Sequence, residues 1–260
     1  MDLGLEDNIA LCTAASSGLG LASATALAEE GADVAVCGRG ETRLDDAAEQ
    51  LREAGDGEVL TVEADITDPT EIAALVERTV AVFGGLDHVV TSAGGPPSGP
   101  FLDTDDRDWY QTYDLLVVSV VWTLREAYPH LQNSGGSVVA ITSRTTQEVA
   151  DDLVLSNAVR RTVEGLVKTL AREFAPAIRV NTARPGPHET ARIEQLIEAA
   201  VDRGDVPDYR AGYEEWAADN PLGRIGEPRE LGDVVAFLAS ERASYINGAA
   251  VPVDGGSTRS

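Results

Sequence analysis

The chain has 260 residues and carries 44 acidic side chains against 20 basic ones, for a net charge of -24. A surface of that sign repels nucleic acid and anionic membranes, and it excludes both as partners. Residues 1–7 form no basic or apolar leader and the most apolar run, 115–122, is far shorter than a bilayer span, so a soluble, cytoplasmic protein is expected.

The acids are spread along the sequence instead of gathering in a tail, and Lys168 is the only lysine. Self-repulsion on this scale destabilises a compact chain unless salt screens it, which predicts a halophilic protein of a high-salt cytoplasm. No linker, low-complexity block or internal repeat interrupts the sequence, and its length suits one α/β domain.

Apolar runs rich in Val, Ile and Ala predict strands over 9–13, 33–37, 59–63, 88–91, 137–142, 178–183 and 250–253. Helical patterns separate the first six: 18–30, 42–54, 69–83, a long helix ending near Pro129, and 159–173. A polar excursion over 187–220 and a helix over 228–238 precede the last strand. Strands alternating with helices imply a parallel sheet covered on both faces. Local signals agree: Asp68-Pro69-Thr70-Glu71 supplies an N-cap, a proline at N1 and a Glu at N3, and Gly84-Gly85 stops that helix. Cys12 and Cys37 fall in strand-like runs and read as buried free thiols, while His88 and His130 fit a strand start and a helix end.

The first strand-to-helix turn is Thr13-Ala14-Ala15-Ser16-Ser17-Gly18-Leu19-Gly20. Gly18 and Gly20 allow close approach of a pyrophosphate to a helix N-terminus with unpaired N–H groups. The second strand ends Cys37-Gly38-Arg39, where an acid would bind the ribose of NAD. Arg39 instead predicts NADP(H) preferred over NAD(H), through charge-assisted bonds to the 2′-phosphate worth roughly 1.5–3 kcal/mol. Ala64-Asp65-Ile66 ends the third strand, where an adenine would lie, and Ser92-Ala93-Gly94 follows the fourth.

With Ser143, Arg179-Val180-Asn181, Pro185-Gly186, Thr190, 220–224 and Asp254-Gly255-Gly256, these motifs resemble the short-chain dehydrogenase/reductase family over nearly the whole chain. The 3-oxoacyl-acyl-carrier-protein reductase type is the most similar. The resemblance implies a doubly wound, seven-stranded Rossmann-type sheet in a single domain, with 187–220 a substrate-covering segment. It implies an NADP(H)-dependent oxidoreductase acting on a carbonyl or secondary alcohol of a small-molecule substrate, assembled as a homotetramer. The cofactor would meet Thr13, Ser16, Ser17, Gly18, Leu19, Gly20, Arg39, Asp65, Ile66, Ser92, Ala93, Gly94, Arg160, Pro185, Gly186 and Thr190. No metal ligands are expected.

The family pattern breaks at four places. Its first turn glycine is Ala14, a mild change provided the backbone keeps φ below zero. A tyrosine thirteen residues after Ser143 and a lysine four further on would deliver the proton; those positions hold Ser156 and Arg160. The asparagine of the relay is Leu116. Ser156 is a much weaker acid than a tuned phenol, and a guanidinium keeps its proton. Loss of a positioned general acid costs about 10²–10⁴-fold in rate. Substitute donors are His188, then Tyr113 one helical turn before Leu116, then Asp151 and Asp152. Arg144 with Arg160 would also suit an anionic ligand. The catalytic set is therefore Ser143, Ser156, Arg160 and His188, and the alternative is a cofactor-binding sensor, scaffold or partner subunit without turnover. Halohydrin-dehalogenase relatives share an arginine at the lysine position, but they keep the tyrosine and give up the nucleotide turn. Tyr209, Tyr213 and Trp216 are spaced as one helix face covering the pocket.

The melting temperature is expected to rise steeply between low and molar KCl; a flat response would refute the reading of the acidic surface as a salt adaptation.

Overall fold

The structure, a computed structural model, describes residues 2–259. Each apolar run forms a strand: β1 (Ile9–Cys12), β2 (Asp33–Gly38), β3 (Val59–Glu63), β4 (His88–Thr91), β5 (Ser137–Ile141), β6 (Arg179–Pro185) and β7 (Ala250–Val253). They pair in parallel in the order β3-β2-β1-β4-β5-β6-β7, with Leu11 of β1 opposite Ala35 on one side and Val89 on the other. The sheet is the doubly wound Rossmann arrangement expected from the sequence.

Nine α-helices lie among the described residues: α1 (Gly18–Glu29), α2 (Glu41–Ala54), α3 (Pro69–Phe83), α4 (Asp106–Tyr113), α5 (Ser119–Ser134), α6 (Val154–Glu173), α7 (Ala191–Arg203), α8 (Tyr209–Ala218) and α9 (Pro228–Ala239). Leu75, Leu131, Val163 and Val180 belong to the core under α3, α5 and α6. Leu27, Leu51, Val235 and Val36 belong to the core on the other face, under α1, α2 and α9. Burial on both faces explains why the strands read as apolar runs without polar alternation.

Asp68 caps α3 by accepting from Thr70 N (2.7 Å) and Glu71 N (3.3 Å), and Gly84 closes it at φ 89°. Glu71 does not return to the cap; its carboxylate accepts from Asp65 N at 2.6 Å and fixes the turn after β3. Four expectations need correction. The helix expected to stop near Pro129 continues to Ser134, because Pro129 and Arg125, whose carbonyl loses its donor, are both exposed to water. A π-helical turn, Asp114–Val118, separates α4 from α5; Leu116 is buried while Tyr113 is exposed, so the two do not share a face. The helix expected at 159 begins at Val154 and takes Ser156 into its first turn. The polar excursion holds a further helix, α7, ahead of α8, the helix read from the spacing of Tyr209, Tyr213 and Trp216.

Both cysteines are buried and free. Burial, opposed by the Ala14 N–H, pushes the Cys37 thiol up to about 11; burial and then Cys37 push Cys12 up as well.

His88 is buried at the start of β4, with Asn8 Nδ2 3.0 Å from Nε2 and Ser137 Oγ 2.9 Å from Nδ1. Ser137 Oγ donates onward to the Ala239 carbonyl, so the neutral tautomer protonated on Nδ1 satisfies every group in the chain. Burial lowers the His88 pKa from 6.5 to about 4. Because the folded value lies below the unfolded one, this contribution is intact above pH 6.5 and is lost as pH falls towards 4. Denaturant unfolding in small pH steps is expected to show a loss of roughly 3 kcal/mol across that window, absent in His88→Gln.

Candidate functional site

The site lies at the carboxyl ends of β1, β4, β5 and β6, beside the point where the strand order reverses between β1 and β4. Thr13, just past β1, ties the two strand ends together: its hydroxyl donates to Ser92 O (2.9 Å) and accepts from Ser92 N (3.0 Å). From there the chain turns sharply into α1. Gly18 takes φ 60°, and a Cβ on Gly20 would stand 2.8 Å from the Ala14 carbonyl oxygen, so both positions require glycine. Ala14 itself sits at φ 46°. The proviso that its backbone stays at negative φ is therefore not met, and the alanine is held in the left-handed region. Ser17 caps α1 without a side-chain hydrogen bond, and no acid occupies the first turn. The leading N–H groups of α1 are left for an anion.

Ser143 follows β5 and caps the short helical turn Arg144–Thr146, accepting from Thr145 N at 3.2 Å. Thr145 Oγ1 lies 3.2 Å from the buried Ser156 Oγ, so one threonine links the two serines. The turn is clamped from behind. Thr146 Oγ1 bonds to the Ser143 carbonyl and to Glu164, and Glu164 holds Arg184 through two 2.6 Å bonds. Arg160, one helical turn after Ser156, donates to Thr142 O (3.1 Å) and Gly94 O (3.3 Å). Burial, then the nearby Arg192, lower its pKa to about 10, which still leaves it charged at neutral pH. Arg192 reaches from α7 to Pro96 O at 2.8 Å, with its own pKa lowered by burial. Arg144 places its guanidinium 6.0 Å from the centroid of the Trp216 ring.

These groups share one cleft of about 550 Å³. Of the cofactor-binding residues expected from the sequence, Ser17, Gly18, Leu19, Gly20, Ser92, Ala93, Gly94, Arg160, Pro185, Gly186 and Thr190 line it, with Thr190 packed beside Gly18. Thr13, Ser16, Arg39, Asp65 and Ile66 lie outside that lining. Arg39 is exposed and close enough to Asp65 to affect its charge. Burial raises the Asp65 pKa, but hydrogen bonds from Thr67 N and Oγ1, with Arg39 behind them, bring it below the usual carboxylate value.

Of the catalytic candidates, Ser143, Ser156 and Arg160 come together. His188 is buried in the same lining, but Nδ1 bonds the Gly186 carbonyl at 3.1 Å and the ring packs against Gly226. Burial lowers its pKa and keeps it neutral. No hydrogen bond among the described residues joins it to the serines or Arg160. Tyr113 and Asp151 are exposed, and Asp152 pairs with Arg203 at 3.2 Å; none of the three lines the cleft. The aromatic face on α8 is split: Trp216 lines the cleft, Tyr213 packs beside Ile193 and bonds Glu189, and Tyr209 is exposed. Sequence reading missed Thr145, Arg192 and the Glu164–Arg184 clamp. All three depend on chain crossings that local spacing does not encode.

A family model described as enoyl-(acyl carrier protein) reductase matches residues 13–258. The chain belongs to the short-chain dehydrogenase/reductase family. Members of this family are oxidoreductases of carbonyls and alcohols. Cis-4-hydroxycyclohexanecarboxylate dehydrogenase of Sinomonas cyclohexanicum is 34% identical over 99% of both chains. L-sorbose reductase of Gluconobacter frateurii, solved with NADPH and L-sorbose, is 31% identical over 100% of both chains at a TM-score of 0.94. An apo short-chain oxidoreductase of Pseudomonas aeruginosa PAO1, which contains an atypical catalytic center, is 31% identical over 100% of both chains at a TM-score of 0.89. Leu116, expected at the relay's asparagine position, is buried in the core.

A non-glycine residue in the left-handed region costs on the order of 1–2 kcal/mol, part of which glycine returns through its freer unfolded chain. Ala14→Gly is therefore expected to raise the melting temperature by roughly 2–4 °C, measured by calorimetry at fixed salt.

Proposed function

We propose that this chain is an NADP(H)-dependent oxidoreductase that interconverts a ketone and a secondary alcohol without the usual tyrosine and lysine. The observation that carries this reading is that the uncapped N-terminus of α1 and the Ser143 hydroxyl line the same cleft. The open first turn of α1, free of acids, fits a diphosphate, and Arg39 beside the end of β2 supports the phosphorylated cofactor. The NADPH held by the L-sorbose reductase supports it too.

When bound, the nicotinamide would supply or accept the hydride. Ser143 is the group that hydrogen-bonds and polarises the substrate oxygen, held at its strand end by the Thr146–Glu164–Arg184 clamp. Arg160 places a fixed positive charge under the site and holds hydroxyls or carbonyls without giving up its proton. The proton passes to the substrate from water by way of the Thr145–Ser156 hydroxyl pair, a weak acid, so turnover is about 10²–10⁴-fold slower than a phenol relay allows. His188 is a neutral wall, and α7 and α8 cover the substrate. Engagement of Ser156 by Thr145 also favours a second reading, a cofactor-binding sensor, scaffold or partner subunit that does not turn over. The P. aeruginosa relative is a precedent for an unusual centre within the family.

Calorimetry and a ketone and alcohol panel in molar KCl test the reading together. NADPH is expected to bind about 10–100-fold more tightly than NADH, with Arg39→Ala removing the difference. Ser156→Tyr/Arg160→Lys is expected to speed turnover by about 10²–10⁴-fold. Equal affinity for NADH would overturn the Arg39 assignment. Ordinary rates in the wild type with no gain in the double variant would overturn the account of the relay, and no turnover with tight NADPH binding would establish the second reading.

A further inference from the structure

Three arginines line the cleft of a protein whose net charge is -24, and none of them pairs with an acid among the described residues. Of the other shielded arginines, Arg184 pairs with Glu164, while Arg179 is satisfied by four backbone carbonyls. Arg160 bonds only backbone carbonyls, Arg192 bonds one carbonyl, and Arg144 has only the Trp216 ring among the described residues. Glu189 also lines the cleft, and its carboxylate accepts from Tyr213 Oη. Each guanidinium carries five N–H donors, and removing such a cation from water is costly unless an anion or several acceptors replace that water.

Arg160 can be accounted for by its two carbonyls. Arg144 and Arg192 retain most of their donors, Arg144 lies over the Trp216 ring, and Leu153, Ile193 and Leu196 line the same cleft. Positive charge and apolar surface in one cleft select an anion with a hydrocarbon body. Long-range repulsion from the acidic surface would oppose such a ligand. In molar salt, however, the Debye length shrinks to about 3 Å, so the distant acids are screened while partly buried arginines still act at contact.

We propose that the substrate of this cleft carries a carboxylate which Arg144 and Arg192 bind, with its apolar body against Trp216 and Leu196 and its reacting oxygen at Ser143. The proposal rests on the reading of the cleft as an oxidoreductase site. It goes beyond that reading in naming the substrate as an apolar oxo or hydroxy acid. The cofactor's own phosphates are the other source of anionic groups near these arginines, and the test separates the two.

Benzoate, phenylacetate and hexanoate, each beside its uncharged amide, would be titrated calorimetrically into the NADPH-loaded full chain in molar KCl. The carboxylates are expected to bind about tenfold or more tightly than the amides. Arg144→Gln and Arg192→Gln, checked for an unchanged melting temperature, are expected each to lower carboxylate affinity about tenfold and leave amide and NADPH affinities unchanged. Arg144→Lys is expected to keep part of the preference. If no carboxylate binds better than its amide, the proposal is wrong. If the Gln variants lose NADPH affinity as much as carboxylate affinity, the arginines serve the cofactor and the proposal is also wrong. If NADPH does not bind the wild type but the unloaded chain keeps the carboxylate preference, the oxidoreductase reading fails while the anion site stands.

Discussion

The rest of the site depends on the separation of chain directions at β1 and β4. From β1 the chain departs to β2 on one side, whereas β4 continues to β5 on the other, so no connection covers the gap above their ends. Two hydrogen bonds between Thr13 and Ser92 hold that gap at fixed width. Every group later described in the cleft is referenced to this edge. The turn into α1 leaves from one side of it, Gly94 and Pro96 take the bonds from Arg160 and Arg192 on the other, and Ser143 stands one strand further along.

A second level of organisation lies behind Ser143. A serine at a strand end is mobile unless something fixes the following turn, and here three residues share the task. Thr146 reaches both the Ser143 carbonyl and Glu164, Glu164 is gripped twice by Arg184, and Arg184 also bonds Gln147. The pair is largely shielded, with 17% side-chain exposure on each partner, so removing either residue would leave an uncompensated charge behind the turn. This ion pair therefore sets geometry more than it adds stability.

Much of this was legible in the sequence, for physical reasons that differ by element. The strands were readable because a parallel sheet buries both faces and writes its burial as continuous apolar runs such as Val138-Val139-Ala140. The cap at Asp68 and the turn at Gly18 were readable because each needs a residue type that few others can replace. The course of the chain around Pro129 was not, since exposure decides whether a missing N–H matters, and exposure is a tertiary property. Neither was the exposure of Tyr113, because a single π-helical turn rotates everything before it relative to everything after it. At the site, Ser143, Ser156 and Arg160 could be placed by counting along the chain. Thr145, Arg192 and Glu164 could not, because their roles arise from what lies across the cleft.

The guanidinium at residue 160 has a consequence for how the cleft responds to its surroundings. With a titration point of about 10, Arg160 remains cationic at neutral pH, and burial lowers the His188 pKa in favour of the uncharged imidazole. The serine and threonine hydroxyls around them do not ionise in that range either. The positive charge that Arg160 brings to this pocket is thus set once, on folding, and persists through the neutral range. Bound molecules and ions are what can offset it.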